Sequence, residues 1–200
     1  MTGKDAAVPN PDELAELVKA CKAGRQEAYD RLIAIYSPRL YGYLLRLVGR
    51  PHDAEDLLQE VFLRLVRAMG VYRHDGQLTA YLFRIATNVV RDRRRRQRVR
   101  PHQVSQSETA DEQDGLSLDE QVAGEEPAAD STLRARERAD ALEGALYRLP
   151  EEQRQVILLR HFAEMPFGQI AELLGCPVGT VLARAHRGLN RLRELLKDEP

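Results

Sequence analysis

The sequence predicts an all-α protein made of two small helical domains joined by a flexible acidic linker, with a helix-turn-helix in the C-terminal domain. Three observations lead to this fold class. Aromatic residues make up only 6% of the 200 residues and Trp is absent, which argues against a β-sandwich. Apolar residues recur at spacings of three and four along most of the chain. Charge is segregated into blocks.

The charge blocks divide the chain, although the formal net charge is only −1. Residues 25–100 carry sixteen basic and eight acidic side chains, and residues 133–200 carry eleven and ten. Residues 101–132 carry nine acidic side chains and no Lys or Arg, and apolar residues are sparse there. Such a segment cannot bury enough surface to offset its ordering entropy, so it is predicted to be a linker. Residues 1–24 form an N-terminal segment with a first helix.

The first domain is predicted to contain four or five helices with short connections. Asn10 as a cap with Pro11 in the first turn starts one helix, and Ser37-Pro38 is predicted to start another in the same way. Glycines after the apolar stripes end several of them. These signals place helices at about 10–24, 26–36, 37–49 and 51–70, followed by one that begins at Gln77.

The helix from Gln77 to Arg98 begins as an apolar stripe and ends in dense positive charge. The segment RDRRRRQRVR, residues 91–100, holds seven arginines and one acid, Asp92. A packed first half would hold this charge in place, which suits a polyanion. The alternative is a solvated charge run with an Asp92–Arg96 pair worth about 0.3–0.5 kcal/mol. The predicted stripe consists of Leu78, Leu82, Ile85, Ala86 and Val89.

The second domain is predicted to begin near Leu133, with Leu142, Leu146 and Leu149 leading to Pro150. A helix, EEQRQVILLRHF, precedes a short helix, a Gly175-Cys176-Pro177 turn and a long helix, which is the helix-turn-helix pattern. One exposed face of the long helix is predicted to present donors to a DNA groove. That face carries Thr180, Arg184, Arg187 and Arg191. The packing of the two helices is predicted to join Ile170, Leu173 and Leu174 to Val181, Ala185 and Leu189.

Composition argues against several other classes of protein. The five histidines lack metal-site spacing, no nucleophile or phosphate-loop motif is present, and no cofactor is expected. The acids at 53–60 could suggest a metal-dependent nuclease, but a helical surface cluster is commoner. Cys21 and Cys176 fit no metal spacing and are expected to be reduced in a cytoplasmic protein. No apolar run reaches the roughly 20 residues of a membrane span, so no membrane insertion is expected.

Three segments resemble the bacterial extracytoplasmic-function (ECF) sigma factors, which are two-domain members of the sigma-70 family. They are DAEDLLQEVFLRL (53–65), AYLFRIATNVVRDRRRR (80–96) and LPEEQRQVILLR…IAELLGCPVGTVLARAHRGLNRLRELL (149–196). The resemblance implies a transcription initiation factor without enzymatic activity. Such a factor binds core RNA polymerase, directs it to promoters and helps melt the −10 element. It also implies an anti-sigma factor as a partner, and we expect a monomer when the chain is free.

The resemblance also implies roles for individual residues. Core polymerase would dock on Asp53, Asp56, Gln59 and Glu60, and the alternative is a solvated acidic face that favours the helix N-terminus. The −10 element would meet Tyr81, Arg84, Asn88, Arg91, Asp92 and Arg95. The −35 element would meet Thr180, Ala183, Arg184, His186, Arg187 and Arg191.

Some positions depart from the family pattern. Tyr81 stands where the family has Trp and Leu78 where it often has Phe, and both are predicted to pack in the core. Ala183 replaces a frequent Ser, and Leu182 replaces a frequent Lys or Arg. The acidic linker is either an RNA mimic in the polymerase channel or a solubilising spacer. The rival function is a stand-alone helix-turn-helix regulator, which would leave the motif at 53–60 unexplained.

Overall fold

The computed structural model describes the backbone of residues 9–99 and 129–197, and the side chains of residues 9–97 and 136–197. The described backbone is helical and forms two units, which confirms the all-α class for these residues. The first unit contains α1 Pro11–Lys22, α2 Gln26–Val48, α3 Pro51–Ala68 and α4 Leu78–Val99. The second contains α5 Ala129–Tyr147, α6 Glu151–Phe162, α7 Phe167–Leu174 and α8 Val178–Lys197. Most of the predicted linker, 101–132, lies outside the described residues.

The first helix begins as the sequence predicts. Oδ1 of Asn10 accepts a hydrogen bond from the backbone N–H of Glu13 at 2.9 Å, and Pro11 is the first helical residue. The cap satisfies one of the donors that a helix N-terminus leaves free. Pro51 likewise begins α3, with Asp53 in its first turn. Local start signals are therefore reliable where no competing packing opposes them.

The predicted break at Ser37-Pro38 is wrong, because α2 continues through it from Gln26 to Val48. A proline inside a helix removes one hydrogen bond and costs about 3 kcal/mol or more. Burial on both sides of Pro38 offsets that cost, since the side chains of Tyr36 and Leu40 are fully buried. Core packing therefore overrides a local start signal at this point.

Two tyrosines of α2 are hydrogen-bonded to two threonines of α4. The hydroxyl oxygens of Tyr43 and Thr87 lie 2.8 Å apart in a buried position, and those of Tyr36 and Thr79 lie 3.3 Å apart. The Tyr43 ring also meets Phe83 edge-on, with centroids 5.2 Å apart. Burial raises the pKa of Tyr43 to about 12, although the hydrogen bond with Thr87 acts in the opposite direction and lowers this pKa. These contacts fix the position of α4 against α2.

The apolar stripe predicted for α4 is mostly confirmed. Its members face the core of the first unit, where α4 also packs on α3. Ile85 is only partly buried, and Phe83 and Val90 are buried in addition. The remaining buried members are Leu78, Leu82, Ala86 and Val89.

The second unit contains the predicted helix-turn-helix. Gly175 ends α7 in a left-handed conformation with φ 66°, and α8 begins at Val178. A Cβ on Gly188 would lie 2.7 Å from Cδ1 of Ile157, so this glycine allows α8 to approach α6 closely. Ile170, Val181 and Ala185 are buried, as predicted for the two packed helices. Both helices of the helix-turn-helix, α7 and α8, pack against α6.

Two predictions for this unit need correction. The helix expected near Leu133 begins at Ala129, within the segment predicted as linker. Leu189 is predicted to pack against α7, but it is 46% exposed and does not lie in the core. It shares the helical spacing of the buried residues and lies at the edge of the buried face of α8.

We predict that Tyr43→Phe lowers the free energy of unfolding by about 1–2 kcal/mol, because Thr87 loses a buried hydrogen-bond partner. Denaturant unfolding of the variant and of Tyr41→Phe, which alters a half-buried hydroxyl, would measure this. A tyrosine whose folded pKa is raised stabilises the fold below the unfolded pKa and loses that effect as pH rises towards 12. The stability of the wild type should therefore fall more steeply between pH 10 and 12 than that of Tyr43→Phe. Equal slopes would contradict the buried environment.

Candidate nucleic-acid interface

The outer face of α4 carries a row of polar side chains. Arg84, Asn88, Arg91 and Arg95 recur at spacings of four, three and four, and all four are exposed. Because the opposite face of α4 is buried, the backbone from which these side chains project is held in place against the core. Arginines suit phosphate oxygens, and an asparagine can also pair with a base edge. The structure therefore gathers four of the six residues predicted for the −10 element on one face.

An aromatic pair stands at the start of this face. The rings of Tyr72 and Tyr81 have centroids 4.6 Å apart, and the guanidinium carbon of Arg84 lies 5.2 Å from the centroid of Tyr81. Tyr81 is only partly buried, so the prediction that it is a core residue is half correct, whereas Leu78 is fully buried as predicted. Aromatic rings beside an arginine are groups on which unpaired bases stack.

Sequence analysis missed Tyr72. It lies in the loop between α3 and α4, where helical periodicity provides no signal. Its hydroxyl oxygen lies 3.3 Å from Nδ1 of His74. Burial is the largest cause that raises the pKa of Tyr72, and the negative charge of the neighbouring Asp75 is the second. Together they raise this pKa to about 12. An aromatic residue shortly before a basic helix is the signal that could have found it.

Of the four residues on the acidic face of α3, two are paired with arginines and two are exposed. Asp53 forms an ion pair with Arg93 of α4, and Oε1 of Glu60 accepts a hydrogen bond from Nε of Arg64 at 2.7 Å. Both acids are half-buried. Asp56 and Gln59 are exposed, and Oδ1 of Asp56 lies 3.8 Å from Nδ1 of the exposed His52. Asp56 and Gln59 are therefore the members of this set that a partner protein can reach directly.

Arg64 joins the acidic face of α3 to α4. Its Nη1 also donates to Oδ2 of Asp92 at 3.0 Å, while Arg95 lies 3.5 Å from the other oxygen of Asp92. The hydrogen bond to Glu60 is the first cause that raises the pKa of the Arg64 guanidinium. Asp92 thus pairs with Arg64 and Arg95, because α3 packs directly against α4, and not with Arg96, the partner that the solvated-charge alternative assigned to it. Asp92 orients arginines and accepts their hydrogen bonds, so it would not itself attract DNA.

The second basic face lies on α8. Arg187 and Arg191 are exposed, and each makes a local contact: Arg187 with the Ala183 carbonyl at 3.3 Å and Arg191 with Glu194 at 3.3 Å. Ala183 and His186 are exposed beside them, and Thr180 is partly buried. This face belongs to the second helix of the helix-turn-helix, which is the helix that enters a major groove, and it runs from the first turn at Thr180 to the middle of the helix at Arg191.

Arg184 is held differently from its neighbours on α8. Its Nη2 lies 2.6 Å from Oε2 of Glu152 on α6, and its Nη1 lies 3.6 Å from Sγ of Cys176. Only 20% of the Arg184 side chain is exposed. Sequence analysis missed Glu152, whose role depends on a contact between two helices. The pair orients Arg184 but also competes with any phosphate for it.

The rest of the described chain offers little for other chemistry. Within residues 9–99 and 129–197, no group of three or more His, Cys, Asp or Glu side chains is arranged to hold a metal ion. Both cysteines are free, with Cys21 buried and Cys176 partly buried. None of the described helices combines the length and the apolar character needed to cross a membrane.

Comparisons with known proteins agree with this geometry. The family model of Sigma-70 region 2 matches residues 32–100, and that of Sigma-70 region 4 matches residues 139–192. The ECF RNA polymerase sigma factor SigW of Bacillus subtilis is 32% identical over 181 residues, which are 90% of this chain and 95% of that protein. The chain belongs to the ECF sigma factors. It is therefore an initiation factor that directs RNA polymerase to promoters, and the stand-alone regulator is not favoured.

Further relatives support the same family. The RNA polymerase sigma factor CarQ of Myxococcus xanthus is 35% identical over 86% of this chain and 91% of that protein. Among solved structures, the sigma factor RpoE in complex with the anti-sigma factor NepR from Bartonella quintana gives a TM-score of 0.58 at 25% identity. That match covers 86% of this chain and 98% of the other. CnrH, solved with the cytosolic domain of CnrY, has the same fold with a TM-score of 0.61 at 22% identity, over 92% and 97% of the two chains.

We predict that Asp53→Asn destabilises this sigma factor by about 0.5–1 kcal/mol, because it breaks a half-buried ion pair between α3 and α4. Asp56→Asn, the matched change one helical turn away on the same face, should have almost no effect. Thermal unfolding at low and high salt would measure both, and the difference should shrink as salt screens the pair. Equal stability of the two variants at low salt would contradict a contribution from Asp53–Arg93.

Proposed function

We propose that this sigma factor uses three separate surfaces during initiation, one for core polymerase and two for promoter DNA. The observation that carries the proposal is the presence of two exposed basic faces on different units, with an acidic face on the neighbouring α3. A factor that reads two promoter elements needs two such faces, and the acidic face requires a partner other than DNA. In this proposal residues 25–100 act as region 2 and residues 133–200 as region 4.

The −10 element is proposed to meet the outer face of α4 and the aromatic pair. Arg84, Arg91 and Arg95 would neutralise phosphates, and Asn88 would contact a base edge. Tyr81 would stack with an unpaired base, with Tyr72 supporting it from behind. Extruding a base from the duplex costs a few kcal/mol, which the single-strand contacts offset. Asp92 belongs to this surface as the residue that positions Arg64 and Arg95.

The −35 element is proposed to meet the basic face of α8. Arg187 and Arg191 are free to reach the groove, and Arg184 would exchange Glu152 for DNA or keep it as a positioning partner. An arginine that reaches guanine O6 and N7 discriminates by about 1–3 kcal/mol. Thr180, Ala183 and His186 flank these arginines and line the same approach.

The partners follow from the family and from the relatives' names. Core RNA polymerase and promoter DNA are the proposed partners, and phosphodiester synthesis stays with the polymerase, so the chain itself is not an enzyme. One of the similar structures is the sigma factor RpoE bound to the anti-sigma factor NepR. We therefore include an anti-sigma factor as a partner of this chain. The proposed site of action is the cytoplasm, where the free chain is a monomer.

The test of this function mixes the purified chain with sigma-free bacterial core polymerase. Co-elution with core polymerase and discrete transcription starts on genomic fragments are the expected result. Mapping those starts would also reveal the two promoter elements. Tight duplex binding by the chain alone, with no stable polymerase complex, would overturn the proposal.

We predict that Asp56→Arg combined with Gln59→Arg weakens core polymerase binding at least tenfold, because it reverses charge at the accessible part of the α3 face. Titration of fluorescent sigma factor with core polymerase would measure the affinity. Asp30→Arg, a charge reversal at an exposed position of α2, is the control and should bind normally. Unchanged affinity of the double variant would support the alternative, in which this face is a solvated acidic surface that does not bind core polymerase.

We predict that Arg187→Ala weakens promoter binding by the holoenzyme and reduces the salt slope of binding by about one, as expected when one phosphate contact is lost. Arg193→Ala, on the same helix but off the basic face, is the matched control. Filter binding of a mapped promoter over a range of salt concentrations would compare the two. An equal effect of both substitutions would show that only the net charge of α8 matters.

A further inference from the structure

Arg184 differs from the other arginines of α8 in its surroundings. Its side chain is only 20% exposed, whereas that of Arg191 is 55% exposed and Arg187 is exposed as well. Because each residue turns an α-helix by about 100°, Arg184 lies about 60° closer to the buried face of α8 than Arg187 does. It therefore lies on the flank of α8 that faces α6, beside the exposed face proposed to meet DNA.

The guanidinium group of Arg184 joins three parts of the helix-turn-helix unit. Nη2 lies 2.6 Å from Oε2 of Glu152 at the start of α6, and Nη1 lies 3.6 Å from Sγ of Cys176 in the turn. The turn is itself held in place, because the backbone N–H of Cys176 donates to the carbonyl oxygen of Ala171 at 3.1 Å. Arg184 therefore connects α8 to α6 and to the end of α7.

Glu152 allows a cation to lie at this position. It belongs to the first turn of α6, where the free backbone N–H groups of a helix carry partial positive charge and repel a guanidinium group. The carboxylate of Glu152 offsets that repulsion and accepts a charge-assisted hydrogen bond. Both terminal nitrogens of Arg184 are thus directed at protein atoms, although the same two nitrogens would be needed to bind a phosphate or a guanine bidentately.

A close contact between the two helices lies one turn further along α8. A Cβ on Gly188 would lie 2.7 Å from Cδ1 of Ile157 and 3.2 Å from Cβ of Gln153, so α8 approaches α6 most closely there. One such point sets the distance between two helices but leaves the angle between them free. Arg184 lies four residues, or about 6 Å, before Gly188 and adds a second fixed point. Two fixed points determine the angle of α8.

We propose that Glu152 and Arg184 form the positioning pair of the −35 surface, in which Arg184 sets the angle of α8 and does not contact DNA. The inference rests on the proposed function of α8 and assigns the role of one of its arginines. Sequence recognition then belongs to the exposed side chains of α8, which the pair aligns with the groove. Contacts to base edges carry the sequence information and need exact hydrogen-bond geometry, so loss of the pair should lower specificity more than total affinity.

Promoter binding by the holoenzyme distinguishes a positioning arginine from one that contacts phosphate. The assay is filter binding over a range of salt concentrations, with a mapped promoter and with the same fragment carrying a scrambled −35 element. The ratio of the two affinities measures specificity, and the salt slope reports the number of phosphate contacts. The variants are Glu152→Ala, Arg184→Gln and the two combined. Asp140→Ala, which removes an exposed acid of α5, is the control for net charge.

Glu152→Ala and Arg184→Gln are each expected to lower the specificity ratio about fivefold or more, which is the lower end of what one good base contact supplies. The salt slope of Arg184→Gln should equal that of the wild type. The combined variant should lose no more than either single variant, because the two side chains act as one unit. Asp140→Ala should keep the wild-type ratio. Unchanged ratios in the single variants, or losses that add in the combined variant, would overturn the positioning pair.

Two additions keep the outcome decisive. Thermal unfolding of each full chain, followed by circular dichroism, verifies folding at the assay temperature, and Glu152→Gln takes the place of Glu152→Ala if that chain is unfolded. Arg187→Ala should lower the salt slope by about one, because it loses a phosphate contact. A normal slope and ratio for Arg187→Ala would overturn the −35 role of α8 and this inference with it. A slope lowered by about one in both Arg184→Gln and Arg187→Ala would overturn only the positioning role of Arg184.

Discussion

The continuity of α2 through Pro38 is the constraint on which the rest of the structure depends. One helix presents Tyr36 and Tyr43 to the threonines of α4, and its other side receives α5 and α6 of the second unit. If the helix ended at Pro38, its two halves could point in different directions, and the contacts with α4 and with the second unit would no longer lie along one continuous helix. The fully buried side chains around Pro38 therefore stabilise both the first unit and the contact between units.

The arginines of α4 serve two purposes, although the sequence presents them as a single run. Arg93 and Arg94 pair with Asp53 and Glu151, so part of the positive charge is used inside the protein. Arg91 and Arg95 remain exposed to attract phosphate. Because an α-helix completes a turn in about 3.6 residues, consecutive arginines point in different directions. The affinity of α4 for DNA therefore depends on the exposed arginines more than on the total.

The sequence predicts the helical class, the helix-turn-helix and the buried stripe of α4, because those features are periodic and local. It mispredicts Pro38, where burial outweighs a start signal, and Leu189, which has the spacing of the buried residues of α8 but is exposed. Tyr72 is missed because it lies in a loop without helical periodicity, and Glu152 is missed because it acquires its role from Arg184 on another helix. Pairing across helices is a property of the packed fold, so periodicity cannot reveal it.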